Sequence, residues 1–177
     1  MKQINKSRVS LAGEFAVLSQ LALRGKDANM TLGNTKGVDI LVSDPDTGRM
    51  LKLEVKTNFS KNTKIIKAKL WGNFVSSWIL SEKNEKYDEK KDSNLFYCFV
   101  NISQNTKQFK FYIIHAKVVA EYLMDQHKYF HAEKKKEGKK VARTSMRNFR
   151  VGLKSEKYNI TPPTVEEYED NWNFEIK

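Results

Sequence analysis

The chain contains little cysteine, proline or glycine, and it has no long hydrophobic run. Of its 177 residues, one is Cys, three are Pro and eight are Gly. The single Cys98 can form neither an internal disulfide nor a cysteine-rich zinc site. The low Pro and Gly contents exclude collagen-like and low-complexity chains. No apolar run approaches the roughly 18–20 residues of a membrane span, and residues 1–8 are too polar for a signal peptide. We therefore expect a soluble cytoplasmic protein without membrane contact.

Positive charge is the main compositional feature that is present. The chain has 32 Lys and Arg against 21 Asp and Glu, a formal net charge of +11. Hydrophobic residues make up 40% of the chain, enough for a folded domain with a core. A basic protein favours a polyanionic partner, most simply nucleic acid. We expect DNA, although charge alone does not distinguish DNA from RNA.

The charge is unevenly distributed along what we expect to be a single domain, residues 1–177. Its core should span about 8–125, followed by a basic nucleic-acid-binding segment at 133–157 and an acidic C-terminal tail at 164–177. Long charge runs are often only solvated loops, whereas Arg suits phosphates and guanine edges. The residues that we expect to contact nucleic acid are Lys134, Lys135, Lys136, Lys139, Lys140, Arg143, Arg147, Arg150 and Lys154. The last four of these, Arg143, Arg147, Arg150 and Lys154, are spaced as on one side of a helix. The apolar residues between them, however, alternate as in a strand.

Hydrophobic periodicity predicts a mixed order of helices and strands. A helix over 10–24 should bury a stripe formed by Leu11, Phe15, Leu18 and Ala22. Strands are expected at 38–43, 50–57, 95–102 and 108–115, with a further helix at 116–127. Residues 71–79 favour a short helix but also permit a strand, and 84–93 reads as a charged loop. The fold class is therefore α/β or α+β, with a central mixed β-sheet flanked by helices.

The hairpin formed by 38–43 and 50–57 carries the most information about function. Its apolar residues alternate, so pairing Ile40 with Leu53 places the apolar side chains of both strands on one face. The same register places Asp39 directly opposite Glu54, with their Cβ atoms about 5 Å apart. A slip by one residue would put Asp39 opposite Val55 and mix the two faces. The pattern therefore predicts two carboxylates side by side.

Two opposed carboxylates repel each other, and a divalent cation would offset that repulsion. Mg²⁺ typically takes one or two protein carboxylates together with water and substrate phosphate, and Mn²⁺ is the expected substitute. Lys56 lies on the face of Glu54, where its ammonium group can hold water or stabilise a phosphate. Glu14 lies near the start of the first helix and can reach the pair if that helix packs on the sheet. These residues also have purely structural explanations. Asp39, Glu54 and Lys56 could form a solvated strand face, and Glu14 could be a favourable negative charge in the first turn of a helix.

These residues resemble the motif of the PD-(D/E)xK nuclease superfamily, which includes restriction endonucleases and archaeal-type Holliday-junction resolvases. The matching stretches are Glu14, Gly37-Val-Asp39-Ile-Leu and Leu53-Glu54-Val-Lys56-Thr57, and Val38 stands where the superfamily pattern has Pro. The resemblance implies a restriction-endonuclease-like core, in which a helix precedes a three-stranded meander, a crossover helix and a further strand. It also implies that Asp39, Glu54 and the Val55 carbonyl bind Mg²⁺. Lys56 then serves the attacking water, and Glu14 assists or binds a second metal.

The expected function is thus an Mg²⁺-dependent DNA endonuclease of restriction or DNA-processing type. The resemblance implies 5′-phosphate and 3′-hydroxyl products, and the two-fold symmetry of a duplex suggests a homodimer. One alternative is a non-catalytic nucleic-acid-binding protein on the same fold. Another is an interaction protein whose basic segment binds an acidic partner, such as its own tail.

Overall fold

The structure is a computed structural model that describes residues 4–31, 37–60, 65–68, 70–158, 160 and 162–174. Its helices are α1 (Lys6–Ala22), α2 (Glu89–Asp92), α3 (Ala116–Lys136) and α4 (Val165–Tyr168), with a 3₁₀ helix at Glu82–Glu85. Its strands are β1 (Asp27–Met30), β2 (Ile40–Ser43), β3 (Met50–Ser60), β4 (Ile66–Ala68), β5 (Gly72–Phe74), β6 (Ser76–Ser81), β7 (Leu95–Ser103), β8 (Phe109–His115) and β9 (Met146–Val151). Within these described ranges, no helix is both long and apolar enough to cross a bilayer.

A five-stranded sheet organises the chain in the order β1-β2-β3-β7-β8. The β3–β7 pair is parallel and the other pairs are antiparallel. The prediction of a central mixed sheet flanked by helices is therefore confirmed. The predicted hairpin register is confirmed as well, since Ile40 pairs with Leu53 and Val42 with Leu51.

Each face of this sheet has its own hydrophobic core, because alternate residues of β3 and β7 point to opposite faces. On one face α1 covers Leu53, Val55 and Cys98. On the other face α3 and a β6–β9 ribbon cover Tyr97 and Phe99. The ribbon is antiparallel, and Trp78 pairs with Phe149 on its inner side. The Phe99 and Phe149 rings stack there at 4.3 Å, so the ribbon is firmly attached to the sheet.

Helix α1 forms near the predicted position, but the predicted buried stripe is wrong. Leu11 and Phe15 are 46% and 56% exposed, whereas Gly13, Val17 and Leu21 are the buried residues. The reason is the close approach of the helix to β3. A Cβ atom at Gly13 would lie 1.9 Å from Thr57 Oγ1, so only glycine lets the helix backbone come this close. The close contact outweighs the larger apolar stripe.

The connection between β3 and β7 also differs from expectation. Residues 71–79 form strands β5 and β6, so the strand interpretation is right and the helix is wrong. The resemblance implies a crossover helix here. In the described part of this connection, the helical segments are only the 3₁₀ helix and the single turn α2. Aromatic and β-branched residues in 71–79 form strands because β4 supplies the pairing partner of β5 and β9 that of β6.

The predicted acidic tail is docked on the sheet over residues 164–174, while 175–177 lie outside the described residues. Trp172 and Phe174 are only 6% and 4% exposed and belong to the core beneath α1. Glu169 forms a 2.6 Å ion pair with Lys110 of β8. This acidic group therefore pairs with the sheet, and not with the basic segment.

Replacing Gly13 by Ala should destabilise the protein by about 1–3 kcal/mol, because the new methyl group overpacks the contact with Thr57. Thr57 Oγ1 is buried without a hydrogen-bond partner in the described structure, so Thr57→Ala should recover part of that loss in the double variant. Urea unfolding would measure both. Ser19→Ala, at an exposed position of the same helix, is the matched control. A Gly13→Ala protein as stable as the wild type would contradict this account.

Candidate active site

The candidate site lies where β2 separates from β3. The Asp39 backbone N–H donates to the Leu53 carbonyl at 2.8 Å, just before β2 begins. Two residues further along β3, the Val55 backbone N–H donates to Asp39 Oδ2 at 2.6 Å. The Asp39 carboxylate thus accepts the hydrogen bond that a continuing β2 backbone would have made. This contact fixes the carboxylate at the edge of β3.

Glu54 and Lys56 project from the opposite face of β3 to Val55, as strand alternation requires. Lys56 Nζ lies 2.6 Å from Glu54 Oε1, and the two side chains are 33% and 11% exposed. A Cβ atom on Gly37 would lie 3.7 Å from Glu54 Oε2, and Gly37 has a φ of +76°. The left-handed turn at Gly37 therefore brings the backbone before Asp39 against the Glu54 carboxylate.

The structure also brings Glu14 into this group. Burial raises the pKa of the Glu14 carboxyl, the negative charge of Asp39 raises it further, and Lys56 lowers it. These effects require Glu14, on α1, to lie near both strand residues. The close approach at Gly13 explains this placement, because Glu14 is the next residue. Glu14 is thus coupled electrostatically to Asp39 and Lys56, whereas its predicted reach to the Asp39–Glu54 pair and its role stay predictions.

Asp39 is in a similar electrostatic position. Burial is the largest effect and raises the pKa of its carboxyl, and the Glu54 charge adds to that increase. The Val55 N–H and the Lys56 ammonium act in the other direction but do not cancel the increase. Ionised Asp39 is therefore held at a cost in the free protein. A cation at this place would favour the ionised form.

The available donor atoms suit a hard cation such as Mg²⁺. Asp39 and Glu54 supply carboxylate oxygens, and Val55 lies two residues beyond Leu53 with the same backbone orientation. Its carbonyl therefore points to the edge that β2 has left. Among the described residues, no three His, Cys, Asp or Glu side chains form a compact metal cluster. The arrangement thus fits one Mg²⁺ with two carboxylates, a carbonyl and water, and provides less support for a second ion through Glu14.

A cleft of about 830 Å³ opens beside Lys56. One wall is the start of α1, with Lys6 and Ser10, and the opposite wall is the β6–β9 ribbon. The floor is the later part of β3, including Lys56 and Asn58. The cleft therefore adjoins the candidate site at Val55 and Lys56, and it carries lysine, uncharged polar and apolar groups.

Tyr97 and Asn84 also belong to the surroundings of Glu54, although neither is among the site residues predicted from the sequence. Tyr97 lies opposite Glu54 in the parallel β3–β7 pair. Burial raises the pKa of the Tyr97 hydroxyl far above its ordinary value, and the adjacent Glu54 charge raises it further. Asn84 Nδ2 donates to that hydroxyl at 2.7 Å. The sequence contains no local signal for this contact, because it depends on a crossover between distant strands.

The lysines of the basic segment lie partly on α3, which extends to Lys136 instead of ending near 127. Several of them have local acidic partners: Lys134 and Lys139 pair with Glu137, and Lys136 pairs with Glu133. Hydrogen bonds from Lys134 and Lys139 lower the pKa of the Glu137 carboxyl to about 2. The predicted contact residues that are exposed and make no ion pair within the described ranges are Lys135, Lys140, Arg143 and Lys154.

Two of the predicted contact residues are instead buried. Arg147 and Arg150 are 6% and 7% exposed and lie on β9, so the helical interpretation of 143–154 is wrong. Arg147 forms an ion pair with Glu85 through two guanidinium nitrogens. Arg150 lies over the Trp71 ring at 4.7 Å. Their burial contradicts the predicted phosphate contacts, because both guanidinium groups are used within the fold.

Comparison with known proteins gives a likeness at the level of structure. No family model matches the chain, and no curated protein matches it. Among solved structures, the chain is similar to a bacterial homing endonuclease, I-Ssp6803I, at 12% sequence identity and a TM-score of 0.48. The alignment covers 96% of this chain and 90% of the other. The likeness is too distant to assign a function, which must come from the site residues themselves.

Replacing Asp39 by Asn should raise the melting temperature in the presence of a chelator, by on the order of 1–4 °C at neutral pH. The folded Asp39 has a raised pKa, so the folded state binds more protons than the unfolded state and its stability falls as pH rises through this range. The difference between variant and wild type should therefore vanish below the ordinary pKa of 3.8. Thermal unfolding at several pH values would measure it, and a less stable variant at pH 7 would contradict the electrostatic assignment.

Replacing Arg147 by Ala should cost about 3–5 kcal/mol in unfolding free energy, because Glu85 is left as an unpaired, largely buried charge. Arg143→Ala is the matched control and should change stability by less than about 0.5 kcal/mol. If Arg143 contacts phosphate, its loss should weaken DNA binding at all sequences and lower the salt slope by about 1. Equal stability of the two variants would rule out the structural role of Arg147.

Proposed function

We propose that this protein is an Mg²⁺-dependent DNA endonuclease that uses the PD-(D/E)xK arrangement. The observation that supports the proposal is the convergence of Asp39, Glu54 and Lys56 at the edge of β3. The 2.6 Å contact between Asp39 and the Val55 N–H fixes one carboxylate there. The 2.6 Å Lys56–Glu54 pair fixes the other. The reaction is hydrolysis of a phosphodiester by water, in line with the leaving oxygen.

Asp39, Glu54 and the Val55 carbonyl would hold the ion. The ion supplies charge neutralisation at the phosphate and a lower pKa for bound water. Lys56 donates hydrogen bonds from its ammonium group to the attacking water or to a phosphate oxygen. Because its Nζ is already positioned by Glu54, the ammonium group needs little reorganisation during the reaction. Glu14 has a raised pKa and can accept a proton from water near the same place.

The net charge of +11 supports a polyanionic substrate, with the exposed basic residues acting mainly on affinity. Phosphate contacts of this type carry little sequence information and depend strongly on salt. A homodimer would present two such sites to the two strands of a duplex. Sedimentation at the protein concentrations used for cleavage would test that part of the proposal.

Lys56→Ala should reduce plasmid cleavage in Mg²⁺ or Mn²⁺ by at least about 100-fold, because it removes a positioned donor while leaving the carboxylates in place. DNA affinity should change by less than about threefold, since one exposed phosphate contact is a small part of the total. Gel analysis of cleavage and a binding titration would measure the two effects. Asp39→Ala should abolish cleavage as well.

Lys52→Ala is the matched control, because Lys52 lies on the same strand and face but donates to the Lys91 carbonyl at 2.9 Å. It should retain wild-type cleavage. Equal activity of the Lys56→Ala protein would refute the catalytic assignment. DNA binding without cleavage by the wild type would favour the non-catalytic alternative, and binding that is insensitive to salt would favour an acidic protein partner.

A further inference from the structure

The outer side of the β6–β9 ribbon has no role in the proposed cleavage site, yet it forms one wall of the same cleft. Trp78 and Phe149 face inward, so their neighbours Ile79 and Asn148 face outward as a cross-strand pair. Ile79 is 66% exposed, so a large apolar side chain is open to solvent in the middle of this strand. The ribbon thus presents an accessible face beside Lys56.

This outer face is uncharged along its centre. Proceeding along the ribbon, it carries the side chains of Ser81, Met146, Ile79, Asn148 and Ser77. At the Ser77 end it also carries Arg150, which is only 7% exposed because it packs against the Trp71 ring. Met146 is 53% exposed. The Asn148 side-chain amide makes no hydrogen bond to any other part of the described structure, although it is half-buried. Such a face offers free amide and hydroxyl groups together with apolar contacts.

Basic groups lie at both ends of this face. The cleft that contains Lys6 and Lys56 includes Asn148, and a second cavity of about 180 Å³ continues from Asn148 to His131 and Val141. A third groove shares His131 and Val141 with that cavity. It is also lined by three residues of the basic segment, Lys135, Lys139 and Lys140. These three concave regions therefore share lining residues in a series that begins beside Lys56, crosses the ribbon at Asn148 and ends at the basic segment.

The dimensions of the ribbon suit duplex DNA. Six residues per strand span about 17–20 Å, and two paired strands lie about 4.8 Å apart. A two-stranded ribbon fits the major groove, which is about 12 Å wide, but not the narrower minor groove. Asn recognises adenine through its N6 and N7 edge, and apolar side chains contact the thymine methyl group. Lysines at the two ends can contact the flanking phosphates.

We propose that the outer face of the β6–β9 ribbon enters the major groove of duplex DNA and reads base edges next to the site of cleavage. The inference rests on the proposed endonuclease function, because it takes duplex DNA as the substrate. It assigns sequence recognition to Asn148 and Ile79 and leaves phosphate contact to the basic residues at the ends. Recognition and cleavage would then occupy adjoining walls of one cleft.

Photocrosslinking tests this placement without requiring catalysis. Cys98 is fully buried, so a cysteine introduced by Ile79→Cys becomes the accessible thiol for an aryl azide label. In a chelator, this variant should crosslink efficiently to a random-sequence duplex. Protein binding should also protect guanine N7, a major-groove atom, from dimethyl sulfate. Thr47→Cys, in the exposed turn at the far end of β3, is the matched control and should crosslink at least tenfold less.

The specificity part is tested by sequencing the ends of cleaved plasmid or random-library DNA. Asn148→Ala should lower the preference at one or two base positions by about 5- to 150-fold, while cleavage of the remaining sites continues. Asn73→Ala, at an exposed Asn outside the ribbon, should leave the preference unchanged. Lys140→Ala should weaken binding equally at all sequences. Thermal unfolding would verify that each variant is folded.

The outcomes separate this inference from the proposed function. Cleavage by the wild type without crosslinking from Ile79→Cys would overturn the ribbon assignment and leave the nuclease proposal intact. Crosslinking with guanine N7 protection but no cleavage would support the ribbon as a DNA interface and refute the catalytic proposal. An unchanged site preference in Asn148→Ala would overturn the assignment of base reading to this residue.

Discussion

The hydrogen bond from the Val55 backbone to the Asp39 carboxylate is the contact on which the candidate site depends. β3 can pair with β2 only as far as Leu53, and beyond that point a side chain replaces the neighbouring strand. On its other edge β3 stays fully paired with β7 through Ser60. One edge of a rigid strand is thus opened over a few residues, while the Val55 N–H keeps a hydrogen-bond partner. The carboxylates gather in that opening.

The hairpin and its register could be predicted from sequence because two strands joined by a short turn have few alternatives. Alternating apolar residues allow one register to bury all of them, and this register determines which residue faces Glu54. The mixed sheet followed from the same kind of local pattern in β7 and β8. By contrast, the pairing of Glu54 with Tyr97 depends on which strand the chain returns to after a long crossover. No spacing in the sequence encodes that choice.

The wrong predictions, for the buried side of α1 and for the arginines of β9, also have specific physical causes. The side of α1 that faces the sheet is the one with Gly13, because the absence of a side chain there allows the close contact with Thr57. A search for a stripe of apolar side chains cannot predict a contact that depends on a missing side chain. In β9 the arginines have the spacing of a helix, but the segment is a strand. Arg147 lies on the inner side with Phe149 and Val151, whereas Arg150 lies on the other side and is buried against Trp71. Counting charge could not reveal that Glu85 and Trp71 would accept those two guanidinium groups. The net charge of the segment therefore overstates the charge that it presents to a partner.

The docking of Trp172 and Phe174 has a consequence for how the protein is made. The core beneath α1 joins Val17, near the start of the chain, to Phe174. Arg24 lies 4.9 Å from the centre of the Trp172 ring, and Arg49 donates to the Phe174 carbonyl at 3.0 Å. Contacts between such distant positions form slowly, because the intervening loop must be closed first. During synthesis on the ribosome, the core beneath α1 is therefore complete only after residue 174 has emerged.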